Sequence, residues 1–177
     1  ERLVEAMRRH GLGLVLDIVP NHMAASLENA WWRSVVEWGG ASPYAGHFDV
    51  DWSRKLTLPI LGRPFDEANA AGEIRLRFDS AKRCAALAYF DHLISLDPAT
   101  YTLVAEKLDA ETAKILRALA ATRADIARQG TAEPASGEAE MLSAALGTLA
   151  DPAFIDAVHA AQPWQLMYWK DARRSLS

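Results

Sequence analysis

Leu14-Val15-Leu16-Asp17-Ile18-Val19 is an apolar run broken by a single carboxylate and bounded by Gly13 and Pro20. A strand with one wet face alternates polar and apolar residues. A strand covered on both faces is apolar throughout and ends at glycine or proline, as this run does. Upstream, Leu3, Val4 and Met7 form the apolar stripe of a helix over residues 1–10, with Glu1, Arg2, Glu5, Arg8 and Arg9 on its other side. Gly11 and Gly13 end that helix. Helix, glycine stop and buried strand make half of an α/β repeat, and one such unit cannot build a sheet alone. The chain opens inside this helix without an initiator Met, so the expectation is a piece of a longer polypeptide.

The chain has 177 residues and is 50% hydrophobic, enough to bury a core without staples. The net charge of −4 gives no support for binding nucleic acid. No apolar run approaches the ~20 residues of a membrane-spanning helix. The lone cysteine, Cys84, excludes an internal disulfide and fits a reducing, cytoplasmic setting. It has no partner for zinc, and the five histidines show no metal-ligand spacing, so neither metal nor cofactor is expected.

After Pro20 the character changes. Trp31, Trp32, Trp38, Tyr44, Phe48 and Trp52 crowd residues 20–65, where a short helix is expected near 29–38. Pro64 to Ala71 reads as another short helix. Glu73 to Phe78 alternates as a half-exposed strand, and Ala86 to Phe90 and His92 to Leu96 read as further short strands of a small antiparallel sheet. Asp109 is the expected N-cap of a helix to about Arg128. A loop over 129–137, helices near 138–149 and 152–161, and an extended stretch from Gln162 to Trp169 complete the chain.

The stretch Asp17-Ile18-Val19-Pro20-Asn21-His22 carries the sharpest chemical signal. Loops at the C-terminal ends of parallel strands are where sites are built. An Asp and a His there can grip several hydroxyls at once, and a buried carboxylate needs such partners. Spacing alone equally allows Asp17 to cap the next element and His22 to pack in a turn.

The pattern Asp-x-Val-x-Asn-His resembles the first signature region of the α-amylase superfamily, glycoside hydrolase family 13. Glu28 to Trp32, Ser42 to Ala45, Phe48 to Trp52, Leu58 to Gly62, Gly72 to Phe78, Tyr89 to His92 and Gln162 to Lys170 resemble, in order, the maltooligosyltrehalose synthases of that superfamily. The resemblance is weakest in the Ala-rich helices at 105–150. It implies that residues 1–22 supply a helix and the third strand of a (β/α)8 barrel. Residues 23–161 would then be an inserted mixed subdomain, with a small antiparallel sheet and several helices, and 162–177 would return toward the barrel. It implies a substrate-binding set of His22, Asp17 and Asn21, with His22 bonded to the glucose at the cleavage subsite, Asp17 orienting the catalytic network and Asn21 holding the loop. The implied reaction converts the reducing-end α-1,4 bond of a malto-oligosaccharide to an α,α-1,1 bond by intramolecular transfer, with the remainder of the barrel as partner. Arg63-Pro64-Phe65-Asp66 departs from the family pattern, which leaves substrate preference open.

The catalytic carboxylates are not found. Retaining glycosidases need two, about 5 Å apart. The superfamily's nucleophile lies in an Arg-x-Asp signature on a strand, whereas Arg123-Ala124-Asp125 falls in an expected helix and is rejected. The fragment alone is therefore expected to be inactive. Trp31, Trp32, Trp38 and Trp52 could stack on sugar rings or fill the insert's core. Asp49, Asp51, Asp91 and His92 read as turn or strand residues. Arg54, Lys55 and Arg63 read as surface residues able to reach substrate hydroxyls. Another superfamily hydrolase or transglucosylase is the first alternative. The second is a non-catalytic helical interaction module, which the Ala-rich helices would suit.

Overall fold

The computed structural model describes residues 2–15, 17, 25–129 and 136–175. Helix α1 (Arg2–Arg9) forms where the apolar stripe places it, and Gly11 (φ +63) follows its last turn. The stretch expected as a doubly buried strand behaves differently in its described residues. Leu14, Val15 and Asp17 carry no strand, and Leu14 and Val15 are 57% and 92% exposed. The physical reason is the absence of a ladder partner. A parallel strand needs hydrogen-bonding neighbours and covering helices, and among the described residues none is seated beside it. Leu3, Val4 and Leu12 are left exposed with it.

Beyond residue 25 the chain is closely packed. Asn29 caps α2 (Ala30–Trp38), its side chain accepting from the N–H groups of Trp31 and Trp32. Strand β1 (Leu56–Leu61) lies parallel to β5 (Trp164–Tyr168), in the segment expected to lead back toward the barrel. Their register slips by one residue between Leu58 and Leu61, around Pro59, which has no N–H to give the ladder. Between them come α3 (Phe65–Ala70) and an antiparallel meander of β2 (Ile74–Asp79), β3 (Cys84–Tyr89) and β4 (His92–Ser95). This is the small sheet expected from the alternation of Glu73 to Phe78.

The helices follow as α4 (Tyr101–Ala105), α5 (Ala110–Gln129), α6 (Ser136–Thr148), α7 (Pro152–Ala160) and α8 (Trp169–Ser175). Asp109 caps α5 as expected: Oδ1 accepts from Glu111 N at 3.1 Å and Thr112 N at 3.0 Å. One core joins the parts. Ile74, Leu76 and Phe78 of β2 and Ala85, Leu87 and Tyr89 of β3 face Leu116, Leu142, Leu146, Ile155 and Trp164. Each fully buried Leu or Ile contributes about 1.5–3 kcal/mol, so this cluster dominates the stability of the unit. No single helix among the described residues is long and apolar enough to cross a membrane.

Candidate functional site

Of the three residues expected to meet substrate, Asp17 is exposed and outside any helix or strand, while Asn21 and His22 lie outside the described residues. The described chain begins again just after them and leads straight into an aromatic group. The Asn29 cap fixes the first turn of α2 and sends two adjacent indoles to different neighbours. Trp32 meets Phe48 at 5.1 Å and packs against the core. Trp31 is 41% exposed and stacks on Tyr44, ring centroids 5.2 Å apart and planes 10° apart, with the His47 ring 5.0 Å away.

The loop presenting Tyr44 and His47 is pinned to α2. The Ser34 and Ser42 hydroxyls lie 2.9 Å apart, and Ser42 Oγ also accepts from Tyr44 N at 3.1 Å. Farther along, the exposed indole of Trp52 lies over Gly40, where a Cβ would sit 3.4 Å from the ring. Gly39 adopts φ +55, and a Cβ there would come within 2.9 Å of Pro163 Cβ. These glycines let the α2 end, Trp52 and the segment before β5 close on one another. An exposed indole stacked on a phenol, beside an imidazole, offers a flat apolar face and nearby polar atoms. A sugar ring uses both, through its C–H face and its hydroxyls.

Asp51 Oδ1 accepts from Ser53 N and Oγ, which hold its carboxyl below the usual range, and its other oxygen pairs with Arg54 at 3.4 Å. Asp49 is exposed and Trp38 half-buried. Lys55 Nζ donates to the Ala160 carbonyl, and Arg63 pairs with Glu73 at 3.1 Å. Asp91 and His92 sit at the exposed tip between β3 and β4. Arg123 to Asp125 lie in α5, as the rejection of that triplet as a nucleophile motif requires.

A buried ion pair and a half-buried histidine were not read from the sequence. Arg123 donates from Nε to Glu37 Oε1 at 2.8 Å, from Nη2 to the same oxygen, and from Nη1 to the Lys82 carbonyl at 2.7 Å. Burial pushes the Glu37 carboxyl up, and the guanidinium of Arg123 pulls against that rise. His159 Nε2 accepts from Leu166 N at 2.9 Å, and its ring stacks on Phe65 at 4.0 Å. Burial, with Lys55 adding to it, pushes His159 down to about 4, so the ring is neutral at pH 7 and its proton sits on Nδ1. Cys84 is buried beside Ser95, and burial raises its thiol to about 11, which leaves it unreactive. Among the described residues no group of His, Cys, Asp or Glu is placed to hold a metal ion.

No family model matches the chain. A Mycobacterium tuberculosis protein named "Putative maltooligosyl trehalose synthase" is 44% identical to it over 73 residues, in strains CDC 1551 / Oshkosh and ATCC 25618 / H37Rv alike. Over those 73 residues the chain is similar in sequence to a protein of that name. The aligned part covers 38% of this chain and 10% of the mycobacterial synthase. A solved structure of the DSM5389 glycosyltrehalose synthase aligns over 96% of this chain and 18% of its own length, with TM-score 0.52 and 22% identity; it supports the fold alone. The maltooligosyltrehalose synthase from Arthrobacter ramosus aligns over 96% of this chain and 15% of its own, at 27% identity and TM-score 0.43. The chain therefore spans under a fifth of the synthases it matches.

Proposed function

We propose that this chain forms part of the substrate cleft of an enzyme that acts on malto-oligosaccharides. That enzyme would turn the reducing-end α-1,4 bond into an α,α-1,1 bond by intramolecular transglucosylation. The observation that carries the reading is the 44% identity over 73 residues to a protein named as a maltooligosyl trehalose synthase. The aromatic group of Trp31, Tyr44 and His47 supports it, because it follows the Asp17-to-His22 signature and has an exposed face.

In this reading the described helix α1 and the signature belong to a (β/α)8 barrel, and residues 23–161 form an inserted wall of the cleft. A wall of packed indoles limits the approach of water, which favours transfer over hydrolysis. His22 bonds the glucose at the cleavage subsite, Asn21 holds the loop, and Asp17 orients the catalytic groups. The nucleophile and the acid/base come from elsewhere in the complete protein, so this stretch alone is inactive.

The test uses the full-length protein with maltopentaose. The expected result is loss of reducing ends without release of glucose, and a fall of about 100-fold in activity for His22→Ala with folding intact, roughly 2.7 kcal/mol of transition-state binding. Free glucose or maltose as the main product would instead indicate a hydrolase of the same superfamily. Undiminished activity in His22→Ala would remove that residue from the site.

A further inference from the structure

The outer face of the antiparallel sheet carries a second cleft, ≈ 580 Å³ in volume, which the aromatic group does not reach. Its floor is Ala88 of β3, paired across the ladder with Arg75. Arg75 and Arg77 project along β2, Glu73 lies just before that strand, and Phe90 and Asp91 stand at the mouth. The volume is that of an ordinary small-ligand pocket.

Phe90 is the feature that points to a ligand. Tyr89 pairs with His92, so Phe90 and Asp91 are a two-residue hairpin loop. Its first position is left-handed, φ +48, a conformation that glycine or asparagine adopts easily and a bulky side chain does not. The chain holds phenylalanine there, 72% exposed, braced edge-on by Tyr89 at 4.7 Å. Strain and exposure together at a cleft mouth serve neither the turn nor the core.

The polar lining is under-used. Among the described residues, the Arg77 side chain makes no hydrogen bond or ion pair, and that of Arg75 donates from Nε to the Gly72 carbonyl at 2.8 Å. Glu73 Oε1 is taken by Arg63 at 3.1 Å, and its Oε2 is buried with no partner. Arg75 and Arg77 stand beside Asp91 and beside Glu73, itself paired with Arg63, so both signs of charge line the cleft. They offer both donors and acceptors to a neutral polyhydroxyl ligand, while Phe90 supplies a flat face.

We infer that this cleft binds a stretch of α-linked glucose chain, with Phe90 stacked on one ring and Arg75, Arg77 and Asp91 bonded to hydroxyls. The choice of an α-glucan rests on the malto-oligosaccharide reading above. The experiment is affinity electrophoresis of the full-length protein in gels containing amylopectin, with Phe90→Gly and Arg77→Gln alongside. Wild type is retarded, and each variant raises the apparent Kd about fivefold or more. Phe90→Gly does so without lowering the melting temperature, because glycine relaxes the turn. Unchanged retardation in both variants overturns the inference. So does a lower melting temperature in Phe90→Gly with unchanged retardation, which would mean that another part of the protein covers the ring. If wild type converts maltopentaose but is not retarded, this inference alone falls; if it does neither, the reading it rests on falls too.

Discussion

Arg123 of α5 closes on the carboxylate of Glu37 of α2 across 86 positions of sequence, both side chains at least nine-tenths buried, with Nε 2.8 Å from Oε1. The same guanidinium also holds the carbonyls of Lys82 and Arg83, in the loop that joins β2 to β3. One side chain therefore ties helix to helix and both to the sheet. Removing one partner leaves a buried charge unpaired, which costs about 3–5 kcal/mol, whereas replacing both by apolar residues costs much less. Urea unfolding of Arg123→Met, Glu37→Leu and the double variant should show each single change far worse than their combination suggests. Additive losses would mean that the two charges are not coupled.

Gly39 meets the start of β5 with no room for a side chain. Its φ of +55 and ψ of −137 suit glycine, and a Cβ would lie 2.9 Å from Pro163 Cβ, part of a rigid ring. Gly39→Ala should destabilise the unit by about 2–4 kcal/mol, the sum of backbone strain and overpacking. Gly46, with nothing within 4 Å of its Cβ position, is the control and should tolerate alanine nearly unchanged. Equal melting temperatures for the two variants would refute the packing argument.

The elements legible in the sequence were those whose signal is local. The capping carboxylate of Asp109, the alternation from Glu73 to Phe78 and the Pro152 start of α7 each act within a few residues, and each element forms where expected. Strand β1 was not read; it carries Pro59, which has no N–H for the ladder, and the structure accepts that residue at a register slip. The described residues of the run from Leu14 carry no strand, since apolar composition signals a buried strand but cannot supply the neighbours that bury it. The site divides the same way. The Asp17-to-His22 motif was visible as letters, while the Glu37–Arg123 pair and the neutral His159 depend on contacts between distant segments. The nearest local clue was an acid, Glu37, set in the apolar stretch Val35-Val36-Glu37-Trp38.

Trp31 tests the proposed cleft wall. Its indole stacks on Tyr44 yet remains 41% exposed, so truncation opens little of the core. In the full-length protein, Trp31→Ala should raise KM for maltopentaose about five- to tenfold and lower the melting temperature by only a few degrees. Trp32→Ala should do the reverse, because that ring packs on Phe48 and against the core. Steady-state kinetics beside thermal melts separate the two roles. An unchanged KM in Trp31→Ala would leave the aromatic group a purely structural one.

His159 makes stability depend on pH. Its ring is half-buried between Phe65 and Trp164, and its unprotonated Nε2 accepts from Leu166 N, so a proton there would break the bond that anchors β5 to α7. The folded value is pushed down to about 4 by burial and then by Lys55, with Asp156 opposing, from an ordinary value of 6.5. Between those two values the unfolded chain binds more protons than the folded one. The contribution is therefore complete above about pH 6.5 and is lost as pH falls toward about 4, amounting to roughly 1–2 kcal/mol after discounting for the exposed part of the ring. Urea melts at pH 7.5 and pH 4.5 should show this loss in the wild type, and His159→Phe should flatten the dependence in that window while lowering stability at pH 7.5. An imidazole titrating near 6.5 by NMR would show that the ring is solvated and that the bond to Leu166 does not hold it neutral.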